Sequence, residues 1–131
     1  MVLDTSAIVA ILLDEPESDT FAQILAAGPP LVISAVTLHE TSIVMASKAM
    51  RAGVQLLDDF LRDLAVETAA VTIEDAVAAR EAYFQYGRGY HPAALNLADC
   101  FVYALAKSRG EPLLFKGNDF ALTDIVPAWR P

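Results

Sequence analysis

The sequence has one cysteine and no long apolar run, and these two scarcities exclude several classes of protein. Cys100, alone among 131 residues, cannot form an internal disulfide or supply a cysteine-rich zinc site. No apolar run approaches the roughly 18 residues that a membrane span needs. The apolar start, residues 1–13, has no basic leader and contains Asp4, so we expect no secretory signal. The chain is therefore predicted to be cytoplasmic, without a membrane partner, and with Cys100 packed in its core.

Basic residues are also scarce. Nine Lys and Arg face 17 Asp and Glu, which gives a net charge of −8. Bulk electrostatics therefore disfavour binding to nucleic acid, which would need a local basic patch or bound cations. The ordinary interpretation of such an acidic balance is solubility.

What the chain has in abundance is apolar residues, 55% of the total, enough for one sizeable core. We predict a single domain over residues 1–131. Short β-like runs are predicted at Met1–Leu3, Leu31–Ser34, Ala69–Ile73 and Pro112–Phe115, with a fifth candidate at Asp124–Val126. Helices are predicted at Ser6–Leu13, Glu17–Ala27, Val36–Ala52, Gln55–Leu64, Glu74–Tyr86 and Leu95–Ser108. This alternation indicates an α/β fold with a mainly parallel sheet and helices on both faces.

Two acidic residues follow predicted strands. Asp4 ends the first strand, and Asp119 follows the strand that closes at Phe115. Ligands collect at the carboxyl ends of strands in open α/β sheets. Taken singly, Asp4 has an alternative role as a helix cap, and Asp119 and Asp124 as turn residues.

Two further acids lie on helix faces that otherwise look buried. Glu40 shares its face with Val36, Ile43 and Val44, and Asp99 lies in the most apolar predicted helix. A buried carboxylate is costly unless it is paired or bound to a cation. The alternatives are a partly exposed helix edge for Glu40 and a hydrogen-bonded buried carboxylate for Asp99.

Together these four acids suggest a metal site. If both helix faces meet at the edge where the strands end, four carboxylates share one cavity and need cations to compensate their charge. Oxygen-only ligands favour Mg²⁺ or Mn²⁺ over zinc. Such an acidic pocket suits attack on a phosphodiester, and the bound cations would let an acidic protein hold an RNA backbone.

The sequence resembles PIN-domain toxins of the VapC type, and the resemblance covers essentially the whole chain. It is carried by four motifs in order. They are Val2-Leu3-Asp4-Thr5-Ser6-Ala7, the segment from Ser34 to Glu40, Leu95-Asn96-Leu97-Ala98-Asp99-Cys100, and the segment from Leu113 to Phe120 with Thr123-Asp124-Ile125 behind it.

The resemblance implies a three-layer α/β/α sandwich and a Mg²⁺- or Mn²⁺-dependent endoribonuclease toxin. It also implies an antitoxin partner of the VapB type, a homodimer, and structured RNA as substrate. The run Tyr86-Gly87-Arg88-Gly89 favours transfer RNA. The family's acidic quartet carries over to Asp4, Glu40, Asp99 and Asp119 as catalytic and metal-binding residues. The supporting polar residues are Ser6, Asn96 and Asp124.

The sequence departs from the family pattern at two positions. Ala98 stands where relatives often have Gly, which should have a mild effect. Asn118 stands beside Asp119 where some relatives have another acid, which leaves fewer carboxylates for a second metal ion. Asp124 is a candidate for that role, or it orders the tail, so the number of metal ions stays open.

Three basic residues are candidates for RNA contact. Arg88 and His91 lie in the glycine-rich loop before Asn96, and Lys116 lies in the loop before Asp119. If these loops gather at the acidic edge, the three side chains would contact phosphates and position the RNA. The alternatives are solvated charges for Arg88 and Lys116, and a loop histidine without a partner for His91.

Seven apolar residues on two predicted helices allow two interpretations. They either fill the core or a dimer contact, or they form a groove for an amphipathic antitoxin segment. They are Ile43, Val44, Met45, Met50, Leu57, Phe60 and Leu61. The resemblance further implies that an antitoxin arginine would compete with metal among the four carboxylates.

Two other functions compete with the nuclease. An aspartyl-nucleophile phosphatase also begins with a strand that ends in Asp, but it usually has a second Asp two residues later, where this chain has Ser6. A catalytically silent PIN-like module would use its acids to bind a basic antitoxin peptide. The intact quartet favours the nuclease.

Overall fold

A computed structural model describes residues 1–130 as four strands, five α-helices and one short 3₁₀ helix. The strands are β1 Val2–Leu3, β2 Val32–Ser34, β3 Glu67–Ala69 and β4 Leu113–Leu114. The helices are α1 Thr5–Leu12, α2 Ser18–Ala27, α3 Ala35–Asp63, α4 Ile73–Tyr86 and α5 Leu97–Arg109, with the 3₁₀ turn at Phe120–Leu122. Within these residues, no helix is both long enough and apolar enough to cross a bilayer.

The sheet has the strand order β3-β2-β1-β4, and each neighbouring pair is parallel. Successive residues of a strand point to opposite faces, and the burial follows that rule. Val2 and Leu113 belong to the core under α4 and α5, whereas Leu3 and Leu114 belong to the core under α1, α2 and α3. The α/β class, the parallel sheet and the three layers are therefore as predicted.

The predicted fifth strand at Asp124–Val126 is wrong. The chain there makes one isolated parallel bridge, between Leu113 and Pro127. Leu113 N donates to the Val126 carbonyl (3.0 Å), and Ala128 N donates to the Leu113 carbonyl (2.8 Å). Both hydrogen bonds of the bridge are made by Leu113, and within residues 1–130 the pairing does not extend beyond it.

The two predicted helices within 36–64 are joined in α3, and the predicted stop at Gly53 is wrong. The backbone breaks instead at Ala49 and Met50, where Met50 has φ 51°. Gly53 lies beyond the break, where the two halves approach closely. A Cβ at Gly53 would lie 2.1 Å from the Met45 carbonyl oxygen, so only glycine permits this contact.

Candidate active site at the carboxyl edge of the sheet

The ends of β1 and β4 are joined directly at one edge of the sheet. Asp4 N donates to the Leu114 carbonyl (3.0 Å), and Lys116 N donates to Ser6 Oγ (2.9 Å). The Ser6 hydroxyl in turn donates to Asp4 Oδ2. Ser6 therefore ties the first acidic motif to the loop that carries Asp119.

Asp4 is a buried carboxylate at the start of α1, with 6% of its surface exposed. Its Oδ2 accepts hydrogen bonds from the Ser6 N–H (2.9 Å) and the Ser6 hydroxyl, so that it caps the helix. Burial raises the pKa of Asp4 to about 6 against the opposing effect of Ser6, and the charges of Asp99 and Glu40 raise it further. The capping hydrogen bonds are compatible with a ligand role for Asp4, because both of them use the same carboxylate oxygen.

Asp99 is also buried, and Asn96 holds it at the first turn of α5. Asn96 N donates to Asp99 Oδ2 (2.8 Å), and Asp99 N donates to Asn96 Oδ1 (2.9 Å), which makes a capping box. Burial raises the pKa of Asp99, the Asn96 N–H lowers it, and the charges of Asp119 and Glu40 raise it again. Asn96 is thus placed as a neighbour that orients Asp99.

Glu40 and Asp119 lie close enough to Asp99 for their charges to affect its pKa. Glu40 is half-buried on α3, and Asp119 is exposed just before the 3₁₀ turn. Asp99 responds to the charge of each, and Asp4 responds to Glu40 and Asp99. The structure therefore brings the four predicted acids within electrostatic reach of one another.

The chemistry of these donors fits a hard divalent cation. All four side chains offer oxygen ligands, and their negative charges repel one another. Within residues 1–130, the hydrogen bonds to the Asp4 and Asp99 carboxylates are accepted by Oδ2 of each. Over the same residues, no three His, Cys, Asp or Glu side chains are gathered tightly enough to enclose a metal ion.

Asp124 lies apart from this group. It accepts a hydrogen bond from the Tyr103 hydroxyl (2.6 Å) and forms an ion pair with Lys107 Nζ (2.8 Å). Lys107 lies about two turns along α5 from Asp99. Lys107 and Tyr103 lower the pKa of the Asp124 carboxyl. Of the two roles considered for Asp124, these contacts favour ordering of the tail.

The three predicted RNA contacts are placed differently. Arg88 is exposed, and its charge has a small lowering effect on the pKa of Asp99, so its side chain lies within electrostatic range of that carboxyl. His91 packs edge-on against Tyr86 at 5.0 Å, and its Nδ1 accepts from the Ala93 N–H (3.1 Å). His91 is therefore a loop residue with partners, which corrects the expectation of a histidine without any.

Lys116 has a fixed side chain. Its Nζ lies 2.7 Å from Glu15 Oε2 and 2.8 Å from Glu17 Oε2, and both carboxylates raise its pKa. It also lines a cavity of about 510 Å³ together with Asn118 and Trp129, beside the loop that leads to Asp119. Contact with a phosphate would have to compete with these two ion pairs.

Sequence reasoning missed a set of buried hydroxyls behind the carboxylates. Thr41 Oγ1 donates to Thr5 Oγ1 (3.1 Å), which joins the residue after Glu40 to the residue after Asp4. Thr37 lies one turn earlier on α3, and its buried hydroxyl has no hydrogen-bond partner within residues 1–130. Threonines at positions 37 and 41, spaced i and i+4 on the face beside Glu40, were the available signal.

The seven apolar residues considered for a groove divide between core and surface. Met45 and Leu57 are fully buried in the core under α1 to α3, and a groove there is wrong for these two. Ile43 and Met50 are exposed, and Val44 is half-buried. Phe60 and Leu61 are partly buried against the same core.

Comparison with known proteins decides the family. The PIN-domain family model matches residues 1–126. The chain belongs to the PIN-domain family. It is 48% identical over 126 residues to a ribonuclease VapC of Mycolicibacterium smegmatis, an alignment that covers 96% of this chain and 98% of the relative. It is 45% identical over 131 residues to ribonuclease VapC30 of Mycobacterium tuberculosis, with both chains covered completely. The predicted resemblance to VapC-type PIN domains is thus confirmed.

Solved structures agree on the fold. VapC20 of Mycobacterium tuberculosis, described as a sarcin-ricin loop cleaving toxin, has a TM-score of 0.81 at 18% identity, covering 99% of this chain and 98% of that one. VapBC2 of Rickettsia felis, solved bound to a DNA fragment from its promoter, has a TM-score of 0.75 at 16% identity, covering 96% and 94%. The PIN fold is therefore shown, and nothing in these comparisons supports the phosphatase alternative.

Proposed function

We propose that this VapC-type ribonuclease toxin hydrolyses RNA phosphodiester bonds with Mg²⁺ or Mn²⁺ held by Asp4, Glu40, Asp99 and Asp119. The observation that carries the proposal is the coupling of two buried carboxylates to two more accessible ones at the carboxyl edge of the sheet. This edge is where parallel α/β sheets bind ligands. The two relatives compared above, which are 48% and 45% identical to this chain, are named as ribonucleases, and this supports the proposed activity.

A divalent cation bound there would lower the pKa of an attacking water and stabilise the leaving oxygen. Asp4 and Asp99 would hold it through Oδ1, because Oδ2 of each is already hydrogen-bonded. Glu40 and Asp119 supply the remaining carboxylates from α3 and from the loop after β4.

The other residues of the site orient these ligands. Ser6 fixes the rotamer of Asp4, and Asn96 fixes that of Asp99, which reduces the conformational entropy lost on binding a cation. Without a cation, Asp4 retains its proton up to a pH of about 6, so binding in weakly acidic solution requires this proton to leave.

The substrate class proposed is structured RNA, with transfer RNA favoured. The support is the run Tyr86-Gly87-Arg88-Gly89, whose Arg88 is exposed and within electrostatic range of Asp99. Contacts from Arg88 to the RNA backbone would position the substrate. Such RNA is found in the cytoplasm, which is the location we propose for the protein.

The proposed regulator is a VapB-type antitoxin. Among the similar structures are a toxin–antitoxin complex from Klebsiella pneumoniae and VapBC2 of Rickettsia felis. An antitoxin arginine inserted among the four carboxylates would pair with them and compete with the cation. The exposed side chains of Ile43 and Met50 on α3 offer apolar contact to an antitoxin helix.

A homodimer is also proposed. Ile73 and Val77 on α4 and Leu97 on α5 are exposed apolar side chains, Ile73 and Leu97 by 80% and 72%. Leu97 lines a cavity of about 340 Å³ whose lining is mainly apolar and includes Cys100 and Phe101. Burial of these side chains between two copies would remove apolar surface from water.

Cleavage of total RNA by the purified protein tests the proposed function. We expect discrete fragments in Mg²⁺ or Mn²⁺ and none in excess EDTA, because in the proposed mechanism the cation lowers the pKa of the attacking water and stabilises the leaving oxygen. Sequencing the fragment ends identifies the substrate, and transfer RNA fragments are expected to dominate. Fragments that persist in EDTA would contradict the metal mechanism, and intact RNA in every metal would favour the silent module.

A further inference from the structure

Three exposed aromatic side chains lie together where α4 meets the glycine-rich loop. Tyr83, Phe84 and Tyr90 have ring centroids 5.4 to 6.4 Å apart, each pair edge to face. Phe84 and Tyr90 expose 54% and 59% of their surface. We call these three residues the aromatic platform. A surface of this kind, of three mutually packed and still accessible rings, is typical of a recognition site.

The platform is held in place before any ligand binds. The Tyr83 hydroxyl donates to the Arg88 carbonyl (3.2 Å), and Tyr90 N donates to the Gly87 carbonyl (3.0 Å). The loop between the rings is therefore folded back on α4. A preformed surface loses little conformational entropy when it binds.

The same loop is attached to the helix start that carries Asp99. Arg88 N donates to the Leu95 carbonyl (3.1 Å), and Gly87 and Leu95 form a parallel bridge. Leu95 is followed by Asn96, whose N–H binds the Asp99 carboxylate (2.8 Å). The platform and the acidic group are thus joined through a few backbone contacts, one of which is made by the exposed residue Arg88.

We propose that the aromatic platform stacks a nucleobase from a single-stranded segment of the RNA substrate, while Arg88 contacts the adjacent phosphate beside the acidic site. This inference rests on the proposed ribonuclease function and extends it to substrate binding. Unpaired bases are commonly bound by stacking on aromatic side chains and on arginine. The platform supplies affinity without charge, which a chain with a net charge of −8 otherwise lacks.

Position and charge favour RNA over a second copy of this chain as the occupant. The platform adjoins Arg88, whose charge complements a phosphate, and it adjoins the site where a phosphodiester would be cut. Of the platform, Tyr83 lines a cavity together with Leu97, one of the residues proposed above for the dimer, whereas Phe84 and Tyr90 do not line it.

A stacking probe tests the inference independently of cleavage. The probe is a single-stranded oligoribonucleotide of mixed sequence that contains 2-aminopurine, whose fluorescence falls when it stacks. It is titrated in Mg²⁺ against the full chain carrying Asp99→Asn, which is expected to slow cleavage about a hundredfold to a thousandfold. We expect quenching on binding, and we expect Tyr90→Ala to weaken binding about tenfold and to reduce the quenching. Tyr90→Phe should restore both, because it retains the ring.

Two matched comparisons separate stacking from charge and from packing. The factor by which Tyr90→Ala weakens binding of the probe should be nearly the same at low and at high salt. The factor by which Arg88→Ala weakens binding should become smaller at high salt. Leu56→Ala, which removes an exposed apolar side chain on α3, should bind the probe normally.

Three results would overturn the inference. The first is that the Asp99→Asn protein does not quench the probe, and the second is that Tyr90→Ala leaves binding of the probe unchanged. The third is that Tyr90→Ala converts a dimer to a monomer in light scattering, which would make the platform a protein interface. The proposed function fails separately, if the wild-type protein does not cleave RNA in any metal. If it does cleave, Tyr90→Ala should raise KM for RNA with little change in kcat.

Discussion

Asp99→Asn is expected to reduce metal-dependent RNA cleavage by about a hundredfold to a thousandfold while the protein remains folded. Asp99 is buried beside Glu40 and Asp119, and the substitution removes one negative charge from the centre of that group. The capping box should survive, because the side-chain oxygen of asparagine still accepts the Asn96 N–H now bound by Asp99 (2.8 Å). Initial cleavage rates in Mn²⁺, together with circular dichroism, measure the two parts of this prediction.

The chain offers a matched control for this substitution. Asp75 occupies the same position in α4 that Asp99 occupies in α5, with Thr72 N donating to its Oδ2 (2.8 Å) and Asp75 N donating to Thr72 Oγ1 (3.2 Å). Asp75→Asn changes the same charge in the same capping geometry, but on an exposed helix end. It should leave cleavage unchanged. Equal rates for Asp99→Asn and the wild type would remove Asp99 from the mechanism and point to a contaminating nuclease.

Asp4→Asn is expected to stabilise the metal-free protein at neutral pH by about 3 kcal/mol, even though it disables the proposed metal site. The folded carboxyl holds its proton up to a pH of about 6, whereas an unfolded aspartate releases it near 3.8. Between these values the folded state binds more protons than the unfolded state. The free energy of unfolding therefore falls as pH rises through this window, and an uncharged asparagine does not incur that loss.

Urea unfolding in EDTA at several pH values measures this effect. The free energy of unfolding of Asp4→Asn should exceed that of the wild type only slightly near pH 4. The difference should grow to about 3 kcal/mol by pH 7 and then stay constant. Mg²⁺ should stabilise the wild type at pH 7 and stabilise the variant much less. Asp58→Asn, at an exposed position of α3, should show no such pH-dependent difference. A variant that is less stable than the wild type at pH 7 in EDTA would contradict this expectation.

The strand-end rule was enough to predict that two of the candidate acids lie at one edge of the sheet. Asp4 and Asp119 come after β1 and β4, and parallel strands that end at one edge bring the residues after them to the same place. Glu40 and Asp99 were found by a different signal, a carboxylate on a helix face that was otherwise apolar. Burial of Asp99 agrees with that signal, whereas Glu40 is only half-buried.

Contacts between segments distant in sequence could not be predicted in this way. Lys116 is 101 residues from Glu15, and no local pattern indicates that the two side chains pair. The hydrogen bond from Thr41 to Thr5 depends on how α3 packs against α1. The aromatic platform depends on the turn at residues 87–90, which brings Tyr90 back onto α4.

The central claim is that Asp4, Glu40, Asp99 and Asp119 hold one metal site, and anomalous diffraction from crystals soaked in Mn²⁺ tests it most directly. We predict manganese density bounded by these four carboxylates, with Oδ1 of Asp4 and Asp99 turned toward the ion and Oδ2 still hydrogen-bonded to Ser6 and Asn96. The same soak of Asp99→Asn crystals should show greatly reduced density. Manganese bound elsewhere on the protein, or equal density in wild type and variant, would contradict the claim.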